Sequence, residues 1–325
     1  MKAFLTGATG FVGGNLVRLL LKQGYQVKTL VRSSSSLANL AALEVEIVYG
    51  DLNDPNLGCL MEDCQVLFHV AACYSLWQRD RHNLWQSNVL GTRNILQAAQ
   101  KAGIERVVYT SSVAAIGVGE DGQAVDETHQ SPVEKLIGNY KKSKYYAELE
   151  AIAAFKRGLD VVIVNPATPI GARDIKPTPT GEIVVRFLTG KMPFYTHTGL
   201  NLIDVDDVAW GHLLALEKGK SGDRYILGNQ NLTLKQIVDE LASITGLPAP
   251  KYAIPQFIPY LAAWFDEIVL AACGKTPSIA LEGVKMAQQQ MFYDSTKAIN
   301  QLGLPQSSVN QALRKAVKWH QREII

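Results

Sequence analysis

The sequence predicts an α/β fold: a doubly wound parallel sheet with a smaller, mainly helical C-terminal lobe. Two observations carry this expectation. Strand-like apolar runs alternate with helical patterns over the first half of the chain, and the first of those strands runs directly into a glycine-rich turn and a helix. Strands that alternate with helices pair in parallel and are covered on both faces, and ligands then gather at their carboxyl ends. Composition agrees. The 325 residues are 47% hydrophobic with a formal net charge of +2, enough chain to bury a large core and no basic surplus of the kind that nucleic acid attracts.

Lys2 to Thr6 reads as a short buried strand, and Phe11 to Lys22 as a helix with Val12, Leu16, Leu19 and Leu20 on one face. Gly7, Gly10 and Gly13 lie at the junction. A strand, a glycine turn and a helix in that order bring bare backbone N–H groups and a positive helix end to one point, a ready site for a phosphate. The Gly-x-x-Gly-x-x-Gly spacing differs from the common Gly-x-Gly-x-x-Gly fingerprint but matches its mechanism. A tight, closely packed turn with no ligand is the other reading of the same residues.

The second strand, Gln26 to Val31, ends in L-V-R-S-S-S-S. An acid there would accept hydrogen bonds from an adenosine ribose, whereas Arg32 suits the 2′-phosphate of NADP(H), with the serines at 33–36 as added donors. A polar loop is the alternative. The third strand, 45–49, leads into G-D-L-N-D-P, where Asp51 and Leu52 either meet an adenine edge or form a turn that begins a helix. Further strands are expected at 66–70, 106–110 and 161–165, with helices at 84–102 and 133–156. After Pro166 the pattern loosens: Pro177, Pro179 and Pro193 mark loops, and helices follow at 205–218 and 233–245. The division expected is 1–170 for a dinucleotide-binding domain, with 201–228 returning to it, and 171–200 with 229–325 for a substrate lobe.

Cys59, Cys64, Cys73 and Cys273 show no C-x-x-C and no metal-ligand spacing, so buried thiols in a reducing compartment and no metal are expected. Because the first strand starts at residue 2, cleavage of a leader would remove the glycine turn, and the cytoplasm is the expected location. The apolar stretch 253–273 is interrupted by Pro255, Pro259, Asp266 and Glu267. That argues against a transmembrane segment and leaves a surface-lying helix open.

The catalytic signal is Tyr140-Lys141-Lys142-Ser143-Lys144. Tyr140 and Lys144, at i and i+4, share one side of a helix. An ammonium beside a phenol favours the phenolate, so the expected effect is a Tyr140 pKa lowered toward working pH and a usable acid or base. Upstream, Tyr109-Thr110-Ser111-Ser112 ends the fifth strand and sets a serine hydroxyl at the carboxyl edge, within reach of that helix.

Together with these, T-G-A-T-G-F-V-G, H-V-A-A at 69–72, S-N-V-L-G-T at 87–92, N-P-A-T-P-I-G at 165–171 and I-D-V-D-D-V-A at 203–209 resemble the extended short-chain dehydrogenase/reductase family, in its NAD-dependent epimerase/dehydratase group, over essentially the whole chain. The resemblance implies a Rossmann sheet, Ser112 in preference to Ser111 as the catalytic serine with Tyr140 and Lys144, and Asn88 as a structural asparagine. It implies cofactor contacts at Gly7, Thr9, Gly10, Phe11, Val12, Gly13, Arg32, Asp51, Leu52, Ala71, Ala72, Tyr140, Lys144 and Pro166, the last with its backbone beside the nicotinamide. Tyr74, Trp77, Asn165 and Thr168 are the expected substrate residues, with Trp85, Phe194 and Tyr195 as further wall candidates. A homodimer is also implied.

Within the family, D-I-K-P-T-P-T-G at 174–181 and the T-G-L-N-L-I-D-V-D-D-V-A that follows at 198–209 resemble the hopanoid-associated sugar epimerases, also described as dihydroflavonol-4-reductase-like. Arg32 departs from the acid typical of tightly held NAD. The expectation is therefore an NADP(H)-dependent oxidoreductase that reduces the carbonyl of a small or hydrophobic molecule, NADP(H) being favoured over NAD(H). A nucleotide-sugar epimerase or dehydratase with a retained cofactor is the alternative, and a cofactor-sensing scaffold on the same fold is a third class, which would have no need of Ser112, Tyr140 and Lys144 together.

Overall fold

The computed structural model describes residues 1–255 and 281–324. Its first half alternates as follows: β1 (Lys2–Thr6), α1 (Phe11–Lys22), β2 (Gln26–Val31), β3 (Glu46–Tyr49), α2 (Leu57–Leu60), β4 (Val66–His69), α3 (Arg81–Leu84), α4 (Gly91–Lys101), β5 (Arg106–Thr110), α5 (Val113–Ile116), α6 (Gly138–Lys156) and β6 (Val161–Pro166). There follow β7 (Thr168–Ile170), α7 (Pro179–Leu188), β8 (Phe194–Tyr195), β9 (Gly199–Asp204), α8 (Val205–Lys218), β10 (Arg224–Leu227), β11 (Gln230–Thr233), α9 (Leu234–Thr245) and β12 (Tyr252–Ala253). The last are α10 (Leu281–Met286), β13 (Gln290–Met291), α11 (Thr296–Leu302) and α12 (Val309–Ile324).

Seven parallel strands form the main sheet in the order β10-β6-β5-β4-β1-β2-β3. The chain leaves β1 toward one edge, then returns to β4 on the other side, so the strand order reverses between β1 and β4. Crevices of doubly wound sheets open there, at the carboxyl ends. The registers bring Thr6 beside His69 and His69 beside Tyr109.

Successive residues of β1 face opposite layers, as strand geometry requires. Leu5 packs with Leu16 and Leu20 of α1 and Leu213 of α8. Phe4 packs with Ile95 of α4 and Ala147 and Ala151 of α6. Beyond the sheet, β9 lies between β11 on one side and β7 and β13 on the other, and Val184, Phe187, Leu241 and Leu313 from α7, α9 and α12 cover this smaller unit. β8 and β12 form a separate parallel pair.

Most expected elements form with small changes at their ends, and two differ in kind. The helix expected at 84–102 is built from α3, a π-helical stretch Trp85–Leu90 and α4. The helix expected from 133 begins only at Gly138, whose φ of +84° breaks the run; before it stands a single 3-10 turn, Val133–Lys135. To the helices expected of the smaller lobe the structure adds a four-stranded sheet. Buried thiols were expected throughout. Cys64 is buried, but Cys59 is exposed, because α2 is one short turn that buries only Leu57. Cys273 and nearly all of the surface helix left open at 253–273 lie outside the described residues, while Ala253 itself is in β12. Among the described residues no helix is long and apolar enough to cross a membrane.

Phe4 is wholly buried in the sheet centre. Phe4→Ala should cost about 3 to 5 kcal/mol of stability, read as a lower midpoint in urea unfolding at unchanged slope.

Candidate active site

The groove at the strand ends is floored by the turn between β1 and α1. Gly7 has φ +80°, and a Cβ there would come within 2.6 Å of the Ala71 nitrogen, so glycine alone lets the exits of β1 and β4 pass this close. The Gly10 N–H donates to the Gly7 carbonyl at 3.0 Å, and Gly10 then caps α1 with no side-chain bond and no acid in the first turn. The first N–H groups of α1 thus have no acceptor within the helix, which suits an anion. Phe11 and Val12 are half-buried and Gly13 is buried behind them. Asn39 is buried beneath the turn, and its Nδ2 donates to the carbonyls of Thr9 at 3.3 Å and Gly10 at 3.2 Å.

Around the turn, Arg32, Ser33, Ser34 and Ser36 are exposed, and Ser35 N–H closes a turn onto the Arg32 carbonyl at 2.9 Å. Asp51 accepts from the backbone and side-chain nitrogens of Asn53 at 3.0 and 2.9 Å, so the turn left open in the sequence is formed. The Leu52 carbonyl accepts from Asn94 Nδ2 at 3.0 Å. Ala71 N–H donates to Thr6 Oγ1 at 3.2 Å, and Ala72 is exposed. Burial, with help from the Lys144 charge, pushes His69 down to about 3. Its neutral ring bridges the Thr6 and Thr92 hydroxyls at 2.7 and 3.0 Å.

The structure brings Ser112, Tyr140 and Lys144 together above this floor. Ser112 caps α5, its Oγ accepting from Ala114 N–H at 3.1 Å, and its hydroxyl favours the ionised form of Tyr140. Burial pushes Tyr140 up to about 12, and the Ser112 hydroxyl only partly opposes this. The expected lowering by Lys144 is absent. The reason is geometric: the Lys144 ammonium is engaged by the Thr110 carbonyl at 2.9 Å and the Tyr109 hydroxyl at 3.5 Å, and burial pushes Lys144 itself down to about 8.

Asn88 ties three elements together: its Oδ1 accepts from Cys73 N–H at 2.7 Å, and its Nδ2 donates to the Cys73 carbonyl at 2.9 Å and to Ser143 Oγ at 2.9 Å.

Tyr74 meets Tyr140 edge to face, ring centres 4.6 Å apart, and with Trp77, Ser75 and Asp80 lines a cavity of about 520 Å³. Thr168 is half-buried in β7, and Pro166 is buried at the end of β6. Asn165, expected to meet substrate, is fully buried. Its Nδ2 donates to the Ser112 carbonyl at 3.0 Å and to Glu148 at 2.7 Å, so its place is behind the site. Trp85 packs on Tyr146, Tyr195 on His197, and Phe194 is exposed.

Two carboxylates escaped the sequence reading. Glu148 was visible as Lys144 plus four on the same helix. Glu282 had no sequence signal: it reaches back from α10 to accept from Asn139 N–H at 3.2 Å and Asn139 Nδ2 at 3.1 Å, at the start of α6. A Cβ on Gly138 would meet that carboxylate at 2.5 Å. Among the described residues no three His, Cys, Asp or Glu side chains gather as metal ligands.

A phosphate-ready helix end two strands from a Ser-Tyr-Lys cluster is the layout of a nicotinamide enzyme, and the comparisons agree. The model of the NAD dependent epimerase/dehydratase family matches residues 3–228. The chain belongs to this family. Like other members of this extended short-chain dehydrogenase/reductase group it is an enzyme of oxidoreductase type, and the family uses a nicotinamide cofactor.

The chain is 63% identical over 322 residues to a protein of Synechocystis sp. that carries a provisional dihydroflavonol 4-reductase name, with 98% of this chain and 94% of that one covered. It is 35% identical over 322 residues to sterol demethylase protein B of Methylococcus capsulatus, with 98% of each covered. The crystal structure of gox2253 superposes with a TM-score of 0.88 at 41% identity, over 99% of this chain and 98% of that one.

Gly7→Ala should destabilise this epimerase/dehydratase-family chain by more than about 1 kcal/mol. It should also weaken binding of the reduced nicotinamide cofactor, measured by cofactor fluorescence on protein shown folded by circular dichroism.

Proposed function

We propose that this enzyme is an NADP(H)-dependent reductase of a carbonyl on a small or hydrophobic molecule. The observation that carries the reading is Arg32, exposed at the end of β2 where an acid would suit a bare ribose, on the same sheet edge as Ser112 and Tyr140. A reductase exchanges its cofactor at each turnover, and Tyr140, faced by the exposed ring of Tyr74, is its proton donor.

The turn at Gly7, Gly10 and Gly13, with the uncapped α1 end, fits a pyrophosphate. Arg32 and its serines fit a 2′-phosphate better than a bare ribose. Thr9, Phe11, Val12, Asp51, Leu52, Ala71, Ala72 and the Pro166 backbone complete the cofactor contacts in this reading. Bound NADPH supplies the hydride. Ser112 then holds the carbonyl oxygen, and Tyr140 gives that oxygen its proton as it becomes an alkoxide. In this reading Lys144, its ammonium resting on the Thr110 carbonyl, serves as a further cofactor contact beside Tyr140.

Residues 1–170 with 201–228 serve the cofactor in this division, and 171–200 with 229–325 the substrate, with Tyr74, Trp77 and Thr168 as the wall beside Tyr140. A cytoplasmic homodimer is the form we propose. The family's epimerase members favour a second reading, epimerisation or dehydration of a nucleotide sugar with the cofactor retained.

The first test is cofactor choice. NADPH should bind more tightly than NADH, and Arg32→Asp should abolish or reverse the preference through a loss of about tenfold or more in NADPH affinity. Equal wild-type affinities would remove the role given to Arg32.

The second test separates the two enzyme classes. With a panel of aromatic and aliphatic ketones and aldehydes and NADPH labelled at the transferable hydrogen, the expected result is stoichiometric oxidation of cofactor and label in the alcohol. Tyr140→Phe should slow this by about 10² to 10⁴ at near-normal cofactor affinity. A nucleotide sugar epimerised with no net cofactor change and no label uptake would establish the second reading instead.

A further inference from the structure

Behind the site lies a buried carboxylate that the chemistry above leaves unused. Glu148 is 4% exposed and follows Lys144 by one turn of α6. One of its oxygens pairs with Arg224 Nη1 of β10 at 2.8 Å; the other accepts from Asn165 Nδ2 of β6 at 2.7 Å. The same Asn165 nitrogen donates its second hydrogen to the Ser112 carbonyl at 3.0 Å. Arg224 is spent on the carbonyls of Glu127 at 2.9 Å and His129 at 3.0 Å.

A buried ion pair gives little net stability over apolar packing of the same volume, so stability is a weak reason for this one. Its reach toward the catalytic groups is a stronger reason. The groups set against the Lys144 ammonium are Tyr109 from β5, the neutral His69 from β4 and, one turn further along its own helix, Glu148. Of these only Glu148 is a carboxylate, and it acts against the burial that drives Lys144 toward its uncharged form. Around Glu148 stand Arg224 from β10 and, from β5, Tyr109, whose phenol that carboxylate helps to keep protonated.

We propose that Glu148 is a positioning residue for the catalytic groups: its charge keeps the Lys144 ammonium intact, and its bond to Asn165 fixes the backbone that presents Ser112. The inference rests on the catalytic reading of Ser112, Tyr140 and Lys144. It divides the labour of one carboxylate between a charge and a strut. Both effects are absent from the reacting atoms themselves.

The probe is NADPH, titrated by fluorescence from about pH 6 to about pH 10. Wild-type affinity should fall on the alkaline side as Lys144 loses its proton. Glu148→Gln keeps the hydrogen-bonding reach and removes the charge, so Lys144 deprotonates earlier and this limb should move down by about one pH unit. Glu148→Asp keeps the charge and shortens the reach; its limb should stay at the wild-type position while the rate with a panel ketone falls. If Glu148→Gln does not fold, Arg224→Gln carries the test with opposite sign: a less neutralised Glu148 should move the limb up.

An unmoved limb in a folded Glu148→Gln or Arg224→Gln protein, with only a lower melting temperature, would mean that Glu148 is structural and would overturn the proposal. Lys144→Met separates this from failure of the catalytic reading. If it leaves the NADPH limb in place, the role of Lys144 is wrong; if it removes the limb while Glu148→Gln does not shift it, only the role of Glu148 is wrong. NADH gives the same comparison should the NADP preference fail.

Discussion

The arrangement of the site depends on one close approach, the backbone of Gly7 against that of Ala71. β1 and β4 are neighbours, and the chain must leave both at the same edge without either exit blocking the other. A missing Cβ at Gly7 makes this possible, since any side chain there would strike the Ala71 nitrogen. From that contact follow the direction of α1, the placing of its free N–H groups over the crevice, and the Ala71 to Thr6 hydrogen bond that fixes the next loop. Asn39 holds the same turn from below. The anion-ready floor is thus a consequence of sheet closure.

The second organising feature is that the polar groups behind Ser112 and Tyr140 are dry. Lys144, His69 and Tyr109 are all buried, and their charges or protons are set by one another and by Glu148 more than by water. In such surroundings each hydrogen bond and each charge counts for more than it would at a surface. This explains why Lys144, next to Tyr140 in the helical pattern, does not by itself make a phenolate: its ammonium is directed to the Thr110 carbonyl, and burial acts on both groups at once.

Much of this was legible in the sequence, for physical reasons. The apolar period of β1 and α1 and the glycines between them are local signals, and so is the i, i+4 spacing of Tyr140 and Lys144. What could not be read depended on distant partners. The start of α6 is fixed by Gly138, whose positive φ faces a carboxylate 144 residues further on, at Glu282. The strands β7, β11 and β13 are too short to show a period and exist because β9 offers them edges. Asn165 is expected among the substrate residues from the resemblance of N-P-A-T-P-I-G; its amide faces inward, and only the position of Glu148 reveals this.

The strand order also sets a problem for the chain while it is being made. β1 leaves the ribosome before the strands it pairs with, yet it occupies the interior of the sheet, and its partners β2 and β4 begin at Gln26 and Val66. One of its apolar faces meets α1 at once, but the other waits for α4 and α6, and α8 reaches α1 only from Val205 onward. Parallel pairings of this separation close slowly, and until they do this strand stays open to mispairing. A strand buried in the interior of the finished sheet is therefore left unpaired during synthesis until the residues up to β4 have emerged.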